Sequence, residues 1–120
     1  MHTVVETPTY LHHARDCGLS QGEMEAITAM IANDPMCGDE IAGTGGCRKV
    51  RVARQGKGKS GGFRLVTFFS GQSIPVFLIT IYAKNRKDNL TGAETNALKA
   101  RGKEIVAAYR SRVVALRRTR

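Results

Sequence analysis

The spacing of apolar residues changes twice along the chain, and the changes divide it into two helical stretches at the start, strands in the middle and a helix at the end. Val4 and Val5 predict a short first strand. Thr7 followed by Pro8 has the form of a helix N-cap with proline at the first helical position, and Gly18 closes that helix. Ser20 to Glu23, SQGE, is a capping box, and Met24, Ile27, Met30 and Ile31 follow at helical spacing until Asn33-Asp34-Pro35 ends the run. From Cys47 the period becomes two: in CRKVRVA, Val50 and Val52 share one face while Lys49 and Arg51 share the other. QGKGKSGG reads as a glycine-rich connection, and FRLVTFF and VFLITIY as two further strands, the last so apolar throughout that it is expected at the centre of the sheet. Thr91 to Glu94, TGAE, is a second capping box. Leu98, Ile105, Tyr109, Val113 and Leu116 then predict a long C-terminal helix, with Arg117, Arg118 and Arg120 at the negative end of its dipole.

This order predicts an α+β fold: one small domain over residues 1–120, an antiparallel sheet meander with two N-terminal helices and a long C-terminal helix. A chain of 120 residues buries one core and is too short for two. Hydrophobic residues at 42% and charged residues at 24% are ordinary for a globular protein, so neither disorder nor a membrane protein is the expectation.

Charge changes the picture. The net charge is +9 and the sequence pI about 10.0, which favours an anionic partner. Residues 1–40 hold seven acids and one base, Arg15, whereas residues 41–87 hold ten bases and no acid, so the middle block is the expected binding face. The N-terminus lacks a basic start followed by an apolar run, and no 18-residue apolar stretch occurs, which predicts a cytoplasmic protein without a membrane partner. Cys17, Cys37 and Cys47 are odd in number and widely spaced, which fits reduced thiols and neither a disulfide framework nor a zinc site.

Within the basic block, GKGKSGG lacks the spacing of a nucleotide-binding loop and does not lead from a strand into a helix. Two readings remain for its lysines. Lys57 and Lys59 either keep a solvated hairpin soluble or serve as flexible phosphate contacts beside a fixed cationic face of Lys49, Arg51 and Arg64. Lysine and arginine side by side on one strand face repel each other until an anion arrives, which favours the second. His2, His12 and His13 lie in the acidic third and offer no ligand pattern, and Tyr109, Met24 and Met30 sit at core spacing.

GTGGCRKVRVA, KGKSGGFRLVTFF and FLITIYAKNRKDNLT, in the order β-α-α-β-β-β-α, together resemble the RelE/HigB superfamily of toxins from bacterial type II toxin–antitoxin modules, in particular its HigB-like branch. The resemblance runs from the first strand to about Lys99. It implies a RelE-like fold and a ribosome-dependent mRNA interferase, a cytoplasmic endoribonuclease that cuts mRNA in the decoding site. Its partners would be mRNA, the ribosome and a cognate antitoxin, either acidic or a helix-turn-helix DNA-binding protein. Carried over by position, the catalytic basic residues fall on Lys49, Arg51, Arg64 and Lys84. Arg48, Arg54, Lys57, Lys59, Asn85 and Arg86 become RNA-binding candidates. Where RelE-type members have a tyrosine before the last helix, this chain has Leu90.

The residue types fit that chemistry. RNA supplies its own nucleophile in the 2′-hydroxyl, so cleavage needs proton transfer and stabilisation of the crowded phosphate, with no metal or other cofactor. Arg51 and Arg64 match phosphate oxygens with a fork that stays charged, which also makes them poor general bases; lysine can release its proton, leaving Lys49 and Lys84 as candidates. Two other readings are a toxin of the related ParE type, acting on DNA gyrase by protein binding, and a non-catalytic RNA-binding domain. Gyrase-directed members generally lack the full basic set, and Phe68, Phe69 and Phe77 lie in apolar runs that offer no stacking platform.

Overall fold

The computed structural model describes residues 1–54, 58–84 and 90–118, and side chains within these except those of residues 54, 58–61 and 113–118. The elements run β1 (Val4–Glu6), α1 (Pro8–Asp16), α2 (Gln21–Asn33), β2 (Asp39–Glu40), β3 (Cys47–Arg54), β4 (Gly58–Phe68), β5 (Val76–Ala83) and α3 (Gly92–Arg118). The five strands form one sheet in the order β1-β5-β4-β3-β2. Strands β2 to β5 pair antiparallel, and β1 runs parallel to β5.

The helix signals are made as expected. Thr7 accepts a hydrogen bond from the Tyr10 amide, with Pro8 at the first helical position. Ser20 and Glu23 exchange hydrogen bonds with each other's backbone, and so do Thr91 and Glu94.

Helices cover both faces of the sheet. On one side Tyr10, Ala14, Ile27 and Ile31 from α1 and α2 pack on Val50, Phe63, Leu65, Val76, Leu78 and Ile81. On the other, Ile105 with Leu98, Val106 and Tyr109 of α3 packs on Cys47, Val66, Phe68, Phe77 and Ile79. Met24 joins the first core, but Met30 is exposed. No helix among the described residues is long and apolar enough to cross a membrane.

Three departures from the sequence pattern matter for the site. β4, not β5, is the central strand, because β1 pairs only with Val76–Leu78 of β5. The glycine-rich tract is largely strand: β4 begins at Gly58 and pairs with Arg54, so a backbone poor in strand propensity is held by its partner's ladder. β5 carries a bulge: Val66 and Thr67 pair with Thr80 and Leu78, leaving Ile79 as the extra residue. The bulge shifts the side-chain phase. Leu78 and Ile81 therefore share the α1–α2 face, while Ile79 and Tyr82 join the α3 face.

Candidate nucleic-acid interface

Strand register decides which basic residues meet. Lys49 and Arg51 alternate with Val50 on β3, and Arg51 stands directly opposite Arg64 on β4, which stands opposite Tyr82 on β5. Lys49, Arg51 and Arg64 therefore lie on the α3 side of the sheet, the side to which Val66 and Tyr82 also belong. Lys84 follows β5, and its amide donates to the Gly62 carbonyl at 3.1 Å, one step beyond the Phe63–Ala83 pair. Arg51, Arg64 and Lys84 thus lie close to the Phe63–Ala83 pair, and Lys49 lies two residues back along β3 in the row of Val66 and Thr80.

Their exposures differ. Arg51 is exposed, and Lys49 and Lys84 are partly so. Arg64 is 7% exposed, so it belongs to the floor of the site. Residues directly opposite in an antiparallel pair lie about 5 Å apart, and like charges so placed oppose folding. Among the described residues no carboxylate forms an ion pair with Arg51 or Arg64. The protein therefore holds two arginines directly opposite in register, one of them buried, with no ion-paired carboxylate among the described residues.

Arg48 behaves differently. Its partner across the ladder is Glu40, so it points to the opposite face from Lys49 and Arg51. Its guanidinium donates to the Gly38 carbonyl at 3.0 Å and pairs with Glu40 at 3.4 Å. With its side chain 13% exposed, Arg48 clasps β2 onto β3 and is not a free RNA contact. The side chains of Arg54 and Lys59, and all of Lys57, Asn85 and Arg86, lie outside the described residues.

Two residues missed in the sequence join this face. Tyr82 is the cross-strand neighbour of Arg64, hidden in the sequence because VFLITIY is apolar on both phases and the bulge sets which phase faces α3. Asp39 is paired with Lys49. It stands two residues before the acid-free block, and no periodicity marks a two-residue strand.

The neighbouring chemistry is unlike a small-molecule site. A cleft of about 970 Å³ runs along Thr80–Ala83 of β5 between α1 and α3, lined by His13, Tyr82, Leu90, Leu98 and Arg101 among others. None of Lys49, Arg51, Arg64 or Lys84 lines it, whereas Leu90 does, so the leucine in the tyrosine's place contributes to this apolar wall. Burial pushes the Cys47 thiol up, and burial with the nearby Asp34 carboxylate does the same to Cys37, which makes neither a ready thiolate nucleophile. The cationic patch is an open face of arginine and lysine, the form that suits an extended polyanion.

The likeness to known proteins agrees with this architecture. A family model described as the RelE toxin of the RelE/RelB toxin–antitoxin system matches residues 4–120, well past Lys99 and through α3. Among solved structures the chain is similar to the E. coli toxin RelE, in a mutant with two arginines changed to alanine and in the free state. The TM-score is 0.55 at 15% sequence identity, covering 83% of this chain and 95% of that chain. At that identity the likeness is one of fold. The match along almost the whole chain, on this sheet and these three helices, makes the protein a member of the RelE toxin family, the toxin component of a toxin–antitoxin system.

Proposed function

We propose that this toxin is a metal-independent, ribosome-dependent mRNA endonuclease that cuts through attack of the RNA 2′-hydroxyl on the adjacent phosphate. The observation that carries the reading is Arg51 directly opposite Arg64, with Lys49 on the same face and, among the described residues, no carboxylate ion-paired with either arginine. Such a pair opposes folding and is relieved by an anion, and a phosphate that becomes more negative in the transition state relieves it most.

The steps follow from the residue types. Phosphate oxygens lie between the Arg51 and Arg64 guanidinium groups, which present paired donors and stay charged. The buried Arg64 is held by packing and needs little reorganisation as charge develops, which is how preorganised donors lower a barrier. The 2′-hydroxyl gives its proton to a general base and its oxygen attacks phosphorus, the bond to the 5′-oxygen breaks, and that oxygen takes up a proton from a lysine ammonium, Lys49 or Lys84 being the candidates. The face is open and binds the message chiefly through its phosphates, which supports a substrate presented in extended form by the ribosome. This reading places the toxin in the cytoplasm, with an antitoxin that covers the cationic face.

The test is product chemistry on ribosome-bound message. Cleavage should leave a 2′,3′-cyclic phosphate, or the phosphate derived from it, and a 5′-hydroxyl, and a single 2′-deoxy substitution at the cut position should abolish it while binding persists. Cutting of the 2′-deoxy message at the same rate, or a downstream fragment bearing a 5′-phosphate, overturns the mechanism.

A further inference from the structure

β2 is two residues long and exposed, too small to contribute a core side chain, yet it is held from three directions. The Arg48 guanidinium donates to the Gly38 carbonyl at 3.0 Å and pairs with Glu40. The Ile41 amide donates to the Cys47 carbonyl at 2.9 Å. Gly38, at φ +86°, lets the chain approach β3 so closely that a Cβ there falls 2.5 Å from the Lys49 carbonyl oxygen. Together these fix the backbone of Asp39 opposite Lys49, and cross-strand partners share a face. The result is a carboxylate opposite Lys49, two residues along the ladder from Arg51 and one strand further from Arg64, at a site that otherwise collects positive charge.

We infer that Asp39 is the general base of the cleavage reaction, taking the proton from the attacking 2′-hydroxyl. The inference rests on the reading of this face as an mRNA-cleaving site and answers a difficulty within it. Arginine cannot act as a base, and a lysine that contacts phosphate is most useful when charged. A carboxylate at the rim lets Lys49 and Lys84 remain ammonium groups, one of them supplying the proton to the leaving oxygen. The geometry allows it. Neighbouring strands lie about 4.8 Å apart and residues i and i+2 about 6.8 Å apart, so the backbones of Asp39 and Arg64 are roughly 12 Å from each other. That space takes a ribose and its 3′-phosphate between a short carboxylate and a long guanidinium side chain.

The step balances without a further reactant. The 2′-O–H bond breaks and its proton passes to an Asp39 carboxylate oxygen, while the oxygen's electron pair forms the bond to phosphorus. The P–O5′ bond breaks and the 5′-oxygen receives the lysine proton. Exchange with solvent then returns Asp39 to carboxylate and the lysine to ammonium.

The experiment is single-turnover cleavage of mRNA on programmed ribosomes across pH, with wild type, Asp39→Asn and, as a charge-matched control on exposed α2, Glu25→Gln. The groups facing Asp39 from β3 are Lys49, directly across, and Arg51 beyond it; Glu40 and its partner Arg48 lie on the other face. Wild-type rates should show an acid limb, falling as pH is lowered and the base takes up its proton from solvent instead of from the 2′-hydroxyl. Asp39→Asn should slow cleavage by about 10² to 10⁴ and abolish that limb, with binding to the programmed ribosome changed less than about threefold. Glu25→Gln should match wild type. Asp39→Asn rates within about threefold of wild type, a surviving acid limb, or an equal loss in Glu25→Gln each overturns the assignment of Asp39 while leaving the nuclease reading intact. A wild-type protein that does not cut ribosome-bound message overturns that reading itself.

Discussion

Gly102 of α3 lies against the ring of Phe68 so closely that a Cβ on the glycine falls 2.6 Å from the ring's Cε1. Phe68 is 3% exposed at the end of the central strand, so its ring has little room to yield. This contact sets how near α3 comes to the sheet at Phe68. Gly102→Ala gains about 1 kcal/mol of helix propensity but overpacks the contact, at a cost of about 1–3 kcal/mol. The expected net result is a lower melting temperature by thermal circular dichroism. A rise would show that the helix can step back from Phe68 without loss.

On the proposed mechanism, Arg64 couples stability to function with opposite signs. Its burial opposite Arg51 means that truncation to alanine removes packing as well as charge, so the informative change is Arg64→Met, which keeps an unbranched stem in place and removes the charge. Relief of the facing charges should leave the melt unchanged or stabilise by about 0.2–1 kcal/mol. Loss of a preorganised donor should cut single-turnover cleavage by about 10² to 10³. A lower melt with full cleavage would make Arg64 a packing residue and nothing more.

Much of this architecture is legible in the sequence because local chemistry dictates it. Thr7-Pro8, Ser20 to Glu23 and Thr91 to Glu94 mark the starts of the helices in which they are found, and the Val50/Val52 alternation states which face of β3 is buried. What escapes depends on partners distant in sequence. Gly58 to Gly62 is poor in strand propensity, and its start at Gly58 is held opposite Arg54 of β3 while the Gly62 carbonyl accepts from the Lys84 amide. The all-apolar β5 conceals a bulge, and so conceals Tyr82 beside Arg64. Counting charges places Arg48 with Lys49 and Arg51; only the β2 pairing shows it turned away and clasped to Glu40. The sequence places Arg64 on a cationic face but does not show its burial, which depends on its place in β4 between β3 and β5.

Alkaline stability isolates a different buried group. The Tyr10 side chain is fully buried, and its hydroxyl has no hydrogen-bond partner among the described residues. Burial, reinforced by the Glu6 carboxylate, pushes its pKa up to about 12. A group whose folded pKa lies above its unfolded value, about 10 for tyrosine, stabilises fully below the unfolded value, and that contribution is lost as pH rises through the folded one. Wild type should therefore lose stability between about pH 10 and 12 beyond what lysine deprotonation causes. Tyr10→Phe should be neutral or slightly stabilising at pH 7, since no hydrogen bond is broken, and should show a shallower alkaline decline. Denaturant melts of the two proteins at pH 7 and pH 11 measure the difference, and identical declines would place the alkaline loss elsewhere.

The two faces of β3 make the most direct test of where nucleic acid binds. Arg48 and Arg51 are three residues apart in one strand, carry the same charge and lie on opposite faces, so net charge predicts the same effect for both and the geometry does not. Each phosphate contact on single-stranded nucleic acid contributes about 0.7 to the slope of log affinity against log salt. Arg51→Ala should lower the slope for a single-stranded RNA by about that amount and weaken binding at all sequences alike. Arg48→Ala should leave the slope unchanged, because its guanidinium is spent on Gly38 and Glu40, but should loosen β2 and move Asp39 from its place opposite Lys49. Its loss should then appear in the cleavage step, with hydrogen exchange at the Ile41 amide reporting the loosened strand. Equal drops in slope for the two variants would mean that RNA reads the charge of the block as a whole, and that the Arg51–Arg64 face has no privileged part in binding.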